Sequence, residues 1–172
     1  MLEYNFSETF ISWGTLPKAS LINDDVLKAI MLDDYKNKKE DSPDFKITYN
    51  KHLGWLVDLL QEQFKLQKPK YNSLCSDLIF GNVELPGQTS FRRNHYLKTD
   101  PKNSPVMIAT YFLNGSGKLL IENDDPPILD RVYTHIIKPR TWVVFNSYLE
   151  YMRSKNTEKE PRCSVNILLR HQ

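Results

Sequence analysis

The sequence predicts an α+β fold in which N-terminal helices pack on one sheet of an antiparallel sandwich or jelly roll. Residues 1 to about 75 carry helical periodicity, and residues 76–172 contain six or more short strand patterns separated by turn residues. No helical pattern interrupts the strands, which disfavours a parallel sheet. A chain of 172 residues, 40% of them hydrophobic, can fill one core. We therefore predict a single domain over 1–172, with a helical part at 1–75 and a β core at 76–172.

Two helices are predicted in the first part. Residues 23–36 begin with Asn23, Asp24 and Asp25, which place capping oxygens and negative charge at the positive end of a helix. The second helix rests on one apolar face, formed by Leu53, Trp55, Leu56, Leu59, Leu60 and Phe64. The charged segment between the helices, 36–44, has few apolar residues, and we expect it to be a solvated connection.

The second part is predicted to consist of strands that end at Gly, Pro, Asn and Asp. The strand patterns cover 78–85, 107–113, 118–122, 131–137, 142–145 and 163–169. In the last of these, apolar residues at odd positions alternate with Ser164, Asn166 and Leu168. Short strands in series without helices between them are typical of a sandwich or jelly roll.

Composition excludes several classes of partner. The net charge of +2 is far from the basic balance expected for nucleic-acid binding. No apolar run is long enough for a membrane span, and the first residues lack a signal-peptide pattern, so we expect no membrane partner and a cytoplasmic location. Cys75 and Cys163 lie far apart without further cysteines, which favours two buried thiols in a reducing compartment over a disulfide or zinc site.

Familiar catalytic motifs are absent from the sequence. There is no phosphate-binding glycine loop, Cys-x-x-Cys pair, Gly-x-Ser-x-Gly elbow or His-Glu-x-x-His helix. Polar residues remain near the ends of the predicted strands of the second part, and each taken alone is more often a surface or packing residue. They are Arg92, Arg93, His95, Tyr151 and Arg162.

Their order resembles a known family. The segments 95–97, 109–114 and 117–121, followed by 135–139, 143–147 and 161–165, are similar to the strand order of prolyl-hydroxylase-type iron(II) and 2-oxoglutarate-dependent oxygenases. The resemblance covers roughly residues 76–170. It implies a double-stranded β-helix, the jelly roll of these enzymes.

The resemblance also implies a metal site, which the sequence does not complete. The family holds iron with a His-x-Asp or His-x-Glu motif and a distant histidine. His95 matches the first histidine, Leu97 stands at the carboxylate position and Tyr151 at the distal histidine position. Leucine offers no donor atom, and a histidine with a tyrosine is a poor site for iron(II). We therefore expect degenerate metal positions, no catalytic residue and no cofactor.

Arg162 matches the arginine that binds the distal carboxylate of 2-oxoglutarate in the family. Its guanidinium suits a dicarboxylate, and it is interpreted as a vestigial cosubstrate anchor or as a member of an ordinary ion pair. The turn at Pro139 also departs from the family, which usually has a glycine after this proline where this chain has Arg140.

Three functions follow as hypotheses. The first is a non-catalytic, oxygenase-like jelly roll that acts as a structural or protein-interaction subunit beside other protein subunits of an assembly. Thirteen Asn and sixteen Lys against seven Arg indicate an A+T-rich genome, such as that of many phages, so a virion or tail component is one such assembly. The alternative is an active hydroxylase of a prolyl or similar side chain that uses Fe(II) and 2-oxoglutarate. The third is a small-ligand-binding jelly roll with Trp142, Tyr148 and Tyr151 as aromatic surfaces.

Overall fold

The computed structural model describes residues 11–37, 44–47, 50–67, 73–90, 92–95, 102, 104–122 and 132–171. Within these residues a short 3-10 helix, Pro17–Leu21, precedes the α-helices α1 (Asn23–Asn37) and α2 (Lys51–Gln67). The strands are β1 (Ile11–Thr15), β2 (Asp44–Lys46), β3 (Leu74–Glu84), β4 (Met107–Phe112), β5 (Gly117–Glu122), β6 (Val132–Ile137), β7 (Thr141–Asn146), β8 (Glu150–Arg153) and β9 (Arg162–His171).

The strands form two antiparallel sheets. The larger sheet has the order β1-β7-β4-β9-β3-β2, and the smaller has the order β6-β5-β8. Arg93 adds an isolated bridge to Tyr151 of β8, so the chain just before His95 runs beside the smaller sheet. The non-sequential order shows that successive strands cross between the sheets, as a jelly roll requires.

Two apolar layers hold these elements together. One lies between the two sheets and includes Phe112 and Val143 from the larger sheet with Leu119 and Ile121 from the smaller. The other lies between the larger sheet and the helices, and it contains residues of α1 and α2 together with Tyr111, Val144 and Ile167. Both faces of the larger sheet are therefore buried, which is why β9 is buried along 162–169.

The α+β jelly roll with N-terminal helices packed on one sheet is confirmed. Both predicted helices form, and Asn50 caps α2 by accepting hydrogen bonds from the backbone N–H groups of His52 (3.0 Å) and Leu53 (2.9 Å). The six predicted strands are present, each with bounds within a few residues of the pattern. In the described residues no helix is long and apolar enough to cross a membrane.

The prediction that residues 1–75 are helical is wrong in part. β1 and β2 lie in this stretch and extend the larger sheet on both sides, where they pair with β7 and β3. The three residues of β2 are too few to show a period of two, and the alternation in β1 does not follow burial, because Ser12 is buried and Trp13 is exposed. Only the pairing therefore makes them strands. Asp44 of the predicted connection belongs to β2, and residues 38–43 of that connection lie outside the described residues.

Candidate functional site

His95 and Tyr151, the two predicted metal-ligand positions with polar side chains, are brought into direct contact. His95 Nε2 lies 2.8 Å from Tyr151 Oη, a hydrogen-bond distance. The backbone positions both residues: the bridge between Arg93 and Tyr151 fixes the incoming chain, and the His95 N–H donates to the Ser147 carbonyl at 3.1 Å. Local pairing therefore places the imidazole against the phenol.

The Tyr151 ring is held on several sides. It lies edge-on to Phe145, with ring centroids 5.2 Å apart, and it is stacked on His95 at 5.9 Å. The Arg93 guanidinium lies 5.4 Å from the Tyr151 ring centroid, within the range of a cation–π contact. Tyr151 is 1% exposed. The phenol is thus fixed toward His95 by packing as well as by its hydrogen bond.

These residues do not fit an iron(II) centre. Leu97, at the carboxylate position, lies outside the described residues, and its hydrocarbon side chain has no donor atom. Tyr151 presents a phenol where the family resemblance implies an imidazole. In the parts of the chain that the structure describes, no three His, Cys, Asp or Glu side chains group closely enough to hold a metal ion. Three protein donors are the usual minimum for iron in oxygenases of this type.

Arg162 lies at the start of β9 and points into the space between the sheets. It is 1% exposed, and its Nε donates to Glu84 Oε2 at 2.6 Å. Its Nη1 and Nη2 donate to the carbonyl oxygens of Ser116 (2.9 Å) and Ser154 (2.6 Å). Every nitrogen of the guanidinium thus donates to an oxygen of this chain.

Glu84 and Arg162 meet because β3 and β9 are paired in a register that puts them directly opposite. Cross-strand partners point to the same face of a sheet. From the smaller sheet opposite, Arg153 Nη1 of β8 lies 3.6 Å from Glu84 Oε1, and Arg153 Nη2 donates to Asn166 Oδ1 at 3.0 Å. Thr110 donates to the same Asn166 oxygen at 2.8 Å. We call Glu84, Thr110, Arg153, Arg162 and Asn166 the interior polar cluster.

The turn between β4 and β5 packs on the Arg162 side chain. A Cβ on Gly115 would lie 2.7 Å from Arg162 Cγ, and a Cβ on Gly117 would lie 2.5 Å from Arg162 Nη1. Both glycines have positive φ angles, 83° and 129°. The turn needs glycine for its backbone shape and for the close approach to the guanidinium.

Sequence reasoning missed Glu84 and Arg153. Glu84 was predicted to lie in a strand, but its partner depends on the register between β3 and β9. One signal was available, because an acidic side chain at the end of an apolar strand requires a buried cation if it faces the core. Arg153 was missed because the strand of β8 was not predicted.

The aromatic-surface hypothesis is wrong for two of its three residues. Trp142 is 0% exposed and packs in the layer beneath the helices, and Tyr151 is part of the layer between the sheets. Only Tyr148 retains partial exposure. Arg140 stands where the family usually has a glycine. Its φ of 64° lies in the left-handed region that favours glycine.

Solved structures with the same architecture identify the fold. A prolyl-4-hydroxylase from Pseudomonas putida superposes with a TM-score of 0.69 and 14% identity over 96% of this chain and 95% of its own. A collagen prolyl hydroxylase from Paramecium Bursaria Chlorella virus-1, solved with 2OG, gives 0.64 and 14% over 93% and 96%. A prolyl hydroxylase from Trichoplax adhaerens, solved with a hypoxia inducible factor peptide, gives 0.64 and 11% over 92% and 82%.

Sequence comparison adds no relative: no protein-family model and no curated protein matches the chain. The structural likeness nevertheless extends over nearly the whole chain, including the N-terminal helices. The chain therefore has the prolyl-hydroxylase-like double-stranded β-helix fold of the 2OG-Fe(II) oxygenases.

Proposed function

We propose that this chain is a non-catalytic protein with the oxygenase fold, which acts as a structural or protein-interaction subunit. The observation that supports this proposal is the hydrogen bond between His95 and Tyr151, 2.8 Å long. The side chains at two positions where the family resemblance implies metal ligands bind each other instead. The third position, Leu97, contributes only hydrocarbon.

The chemistry of these donors argues against iron(II). Ligation would require the imidazole to give up its hydrogen bond and the phenol to lose its proton, which is held with a pKa of about 10 in water. Iron(II) binds weakly among the divalent first-row metals and cannot compensate for a missing carboxylate.

The second candidate is an active hydroxylase of a prolyl or similar side chain that uses Fe(II) and 2-oxoglutarate. The fold favours it, since the three structures compared above are named prolyl hydroxylases. In this reading His95 and a carboxylate from a loop would hold the metal, and Arg162 would bind the cosubstrate. It requires a donor set that the alignment of His95, Leu97 and Tyr151 does not supply.

One titration separates the two candidates. Purified protein is mixed anaerobically with Fe(II) and 2-oxoglutarate, and the visible absorption of the metal-to-cosubstrate charge transfer is recorded. We expect no band from the natural chain. The double variant Leu97→Asp/Tyr151→His, which restores the three donors, serves as the matched comparison. A band of full intensity from the natural chain would overturn the non-catalytic proposal.

The subunit role rests on surface composition. Val132 and Ile136 of β6, at the edge of the smaller sheet, are 49% and 50% exposed. Exposed apolar side chains on an edge strand favour pairing with another protein. In analytical ultracentrifugation we expect the mass of the protein to rise with its concentration. Ile136→Lys should reduce this rise more than Leu66→Lys on α2 does. A monomer throughout would count against self-assembly.

The kind of assembly, including the virion or tail component, stays a prediction from composition.

A further inference from the structure

We infer that Glu84 acts as a built-in ligand of Arg162. The Glu84 carboxylate occupies the place beside the guanidinium that a separate carboxylate molecule would need. Glu84 Oε2 accepts from Arg162 Nε at 2.6 Å, and both residues are 1% exposed. This inference goes beyond the proposed function, because it concerns the arginine alone and does not depend on the metal positions.

The donors of Arg162 explain why an outside carboxylate is excluded. A carboxylate binds guanidinium best through two parallel N–H···O bonds. Here Nη1 and Nη2 donate to the Ser116 and Ser154 carbonyls, and Nε donates to Glu84. These bonds account for three of the five N–H groups of the guanidinium, and Arg162 is 1% exposed, so a bidentate ligand could reach it only if Glu84 or the surrounding backbone moved. Gly117, the first residue of β5, also packs against Nη1, so that side of the guanidinium is covered by protein.

The charges of the interior polar cluster require Glu84. Two arginines, Arg153 and Arg162, share this one carboxylate at 3.6 and 2.6 Å. Removal of Glu84 would leave two guanidinium groups in a space that is nearly closed to water. An uncompensated buried charge is strongly destabilising, so the carboxylate stabilises the fold whether or not any ligand exists.

Chemical rescue tests the inference. Glu84→Ala removes the carboxylate and leaves room for a small one, whereas Glu84→Gln removes the charge but fills the same volume. We expect Glu84→Ala to lower Tm by on the order of 10 °C. Sodium acetate at about 100 mM, compared with sodium chloride at equal ionic strength, should restore roughly 3–5 °C if its Kd is on the order of 10 mM. Acetamide, of the same shape but neutral, should restore nothing.

The controls fix the interpretation. The natural chain and Glu84→Gln should show no difference between acetate and chloride, because the site is filled in both. Equal acetate effects on all three proteins, or no effect on Glu84→Ala, would overturn the inference.

A second measurement needs no variant, in case Glu84→Ala does not fold. Amide NMR spectra of the natural chain, titrated with 2-oxoglutarate without metal, should leave the signals of Arg162 and Glu84 in place. Saturable shifts there would show that an outside carboxylate displaces Glu84 and would overturn the inference. Iron binding alone would contradict the proposed function and leave this inference standing.

Discussion

Tyr151→Phe deletes one oxygen atom and tests whether the contact with His95 contributes to stability. The phenylalanine ring keeps the edge contact with Phe145 and the position over Arg93. The lost hydrogen bond has a net value of about 0.5–1.5 kcal/mol, and an unsatisfied buried partner adds about 1–3 kcal/mol. His95 is only half-buried, so water can replace part of the loss. We expect a decrease of about 1–1.5 kcal/mol in the free energy of unfolding.

The assay is urea unfolding followed by fluorescence, arranged as a double-mutant cycle. His95→Phe keeps a ring against Phe80, whose centroid lies 5.5 Å from that of His95. The coupling between Tyr151→Phe and His95→Phe should be about 1 kcal/mol, within the range for residues in contact. Tyr133→Phe serves as the matched control, since it deletes a phenol oxygen at the sheet edge and keeps the ring on Trp13.

The control should change stability by less than about 0.5 kcal/mol. A coupling energy below about 0.3 kcal/mol would refute the reasoning, because the two side chains would then act independently. It would mean that the imidazole and the phenol are neighbours without an energetic link, and the site could reorganise around another ligand.

Three further predictions concern the fold around the site. Arg140→Gly should raise the free energy of unfolding by about 0.5–1 kcal/mol, because glycine adopts the positive φ of 64° without strain. Arg140→Ala is the control in urea unfolding, and equal effects of the two variants would contradict the backbone explanation. Gly117→Ala should lower the free energy of unfolding by about 2 kcal/mol more than Gly87→Ala. Both glycines have positive φ, but only a Cβ at position 117 would collide with the Arg162 side chain. Similar losses of Tm in the two variants would count against this packing. His135 is buried and stacked on Phe112, and burial lowers the pKa of its imidazole from 6.5. As pH falls below about 6.5, the unfolded chain therefore binds more protons at His135 than the folded chain does. The contribution of His135 to stability is complete above that pH and is lost as pH falls toward the folded-state pKa. His135→Phe should make the free energy of unfolding fall less between pH 7 and pH 5 than it does in the natural chain. An unchanged pH dependence would contradict this explanation.

The helices and most strands could be predicted because their apolar spacing reflects one buried face. The face of α2 is an example: Leu53, Leu56, Leu60 and Phe64 are all buried against the larger sheet. β1 could not be predicted, because it is short, contains Gly14 and becomes a strand only by pairing with β7. β8 was missed for a related reason, since its inward residues are Tyr151 and a buried arginine rather than aliphatic side chains.

The sequence predicted several residues that belong to the site, but not which of them touch one another. Resemblance to the oxygenases placed His95, Tyr151 and Arg162 at functional points, and the structure brings the first two together. The partner of Arg162 depended on the register between β3 and β9, which places Glu84 opposite it. The alternation of each strand sets which face a residue takes, but β3 and β9 are far apart in sequence and no hairpin turn fixes which of their residues pair.

The central claim is that the His95 imidazole is bound to a phenol and is not available to a metal. The most direct test is the ¹⁵N chemical shift of His95 Nε2, recorded while Zn(II), as a diamagnetic substitute for Fe(II), is added to the natural chain and to Leu97→Asp/Tyr151→His. We predict no saturable change in the natural chain at equimolar metal and a large shift in the double variant. A stoichiometric shift of the His95 nitrogen in the natural chain would contradict the account.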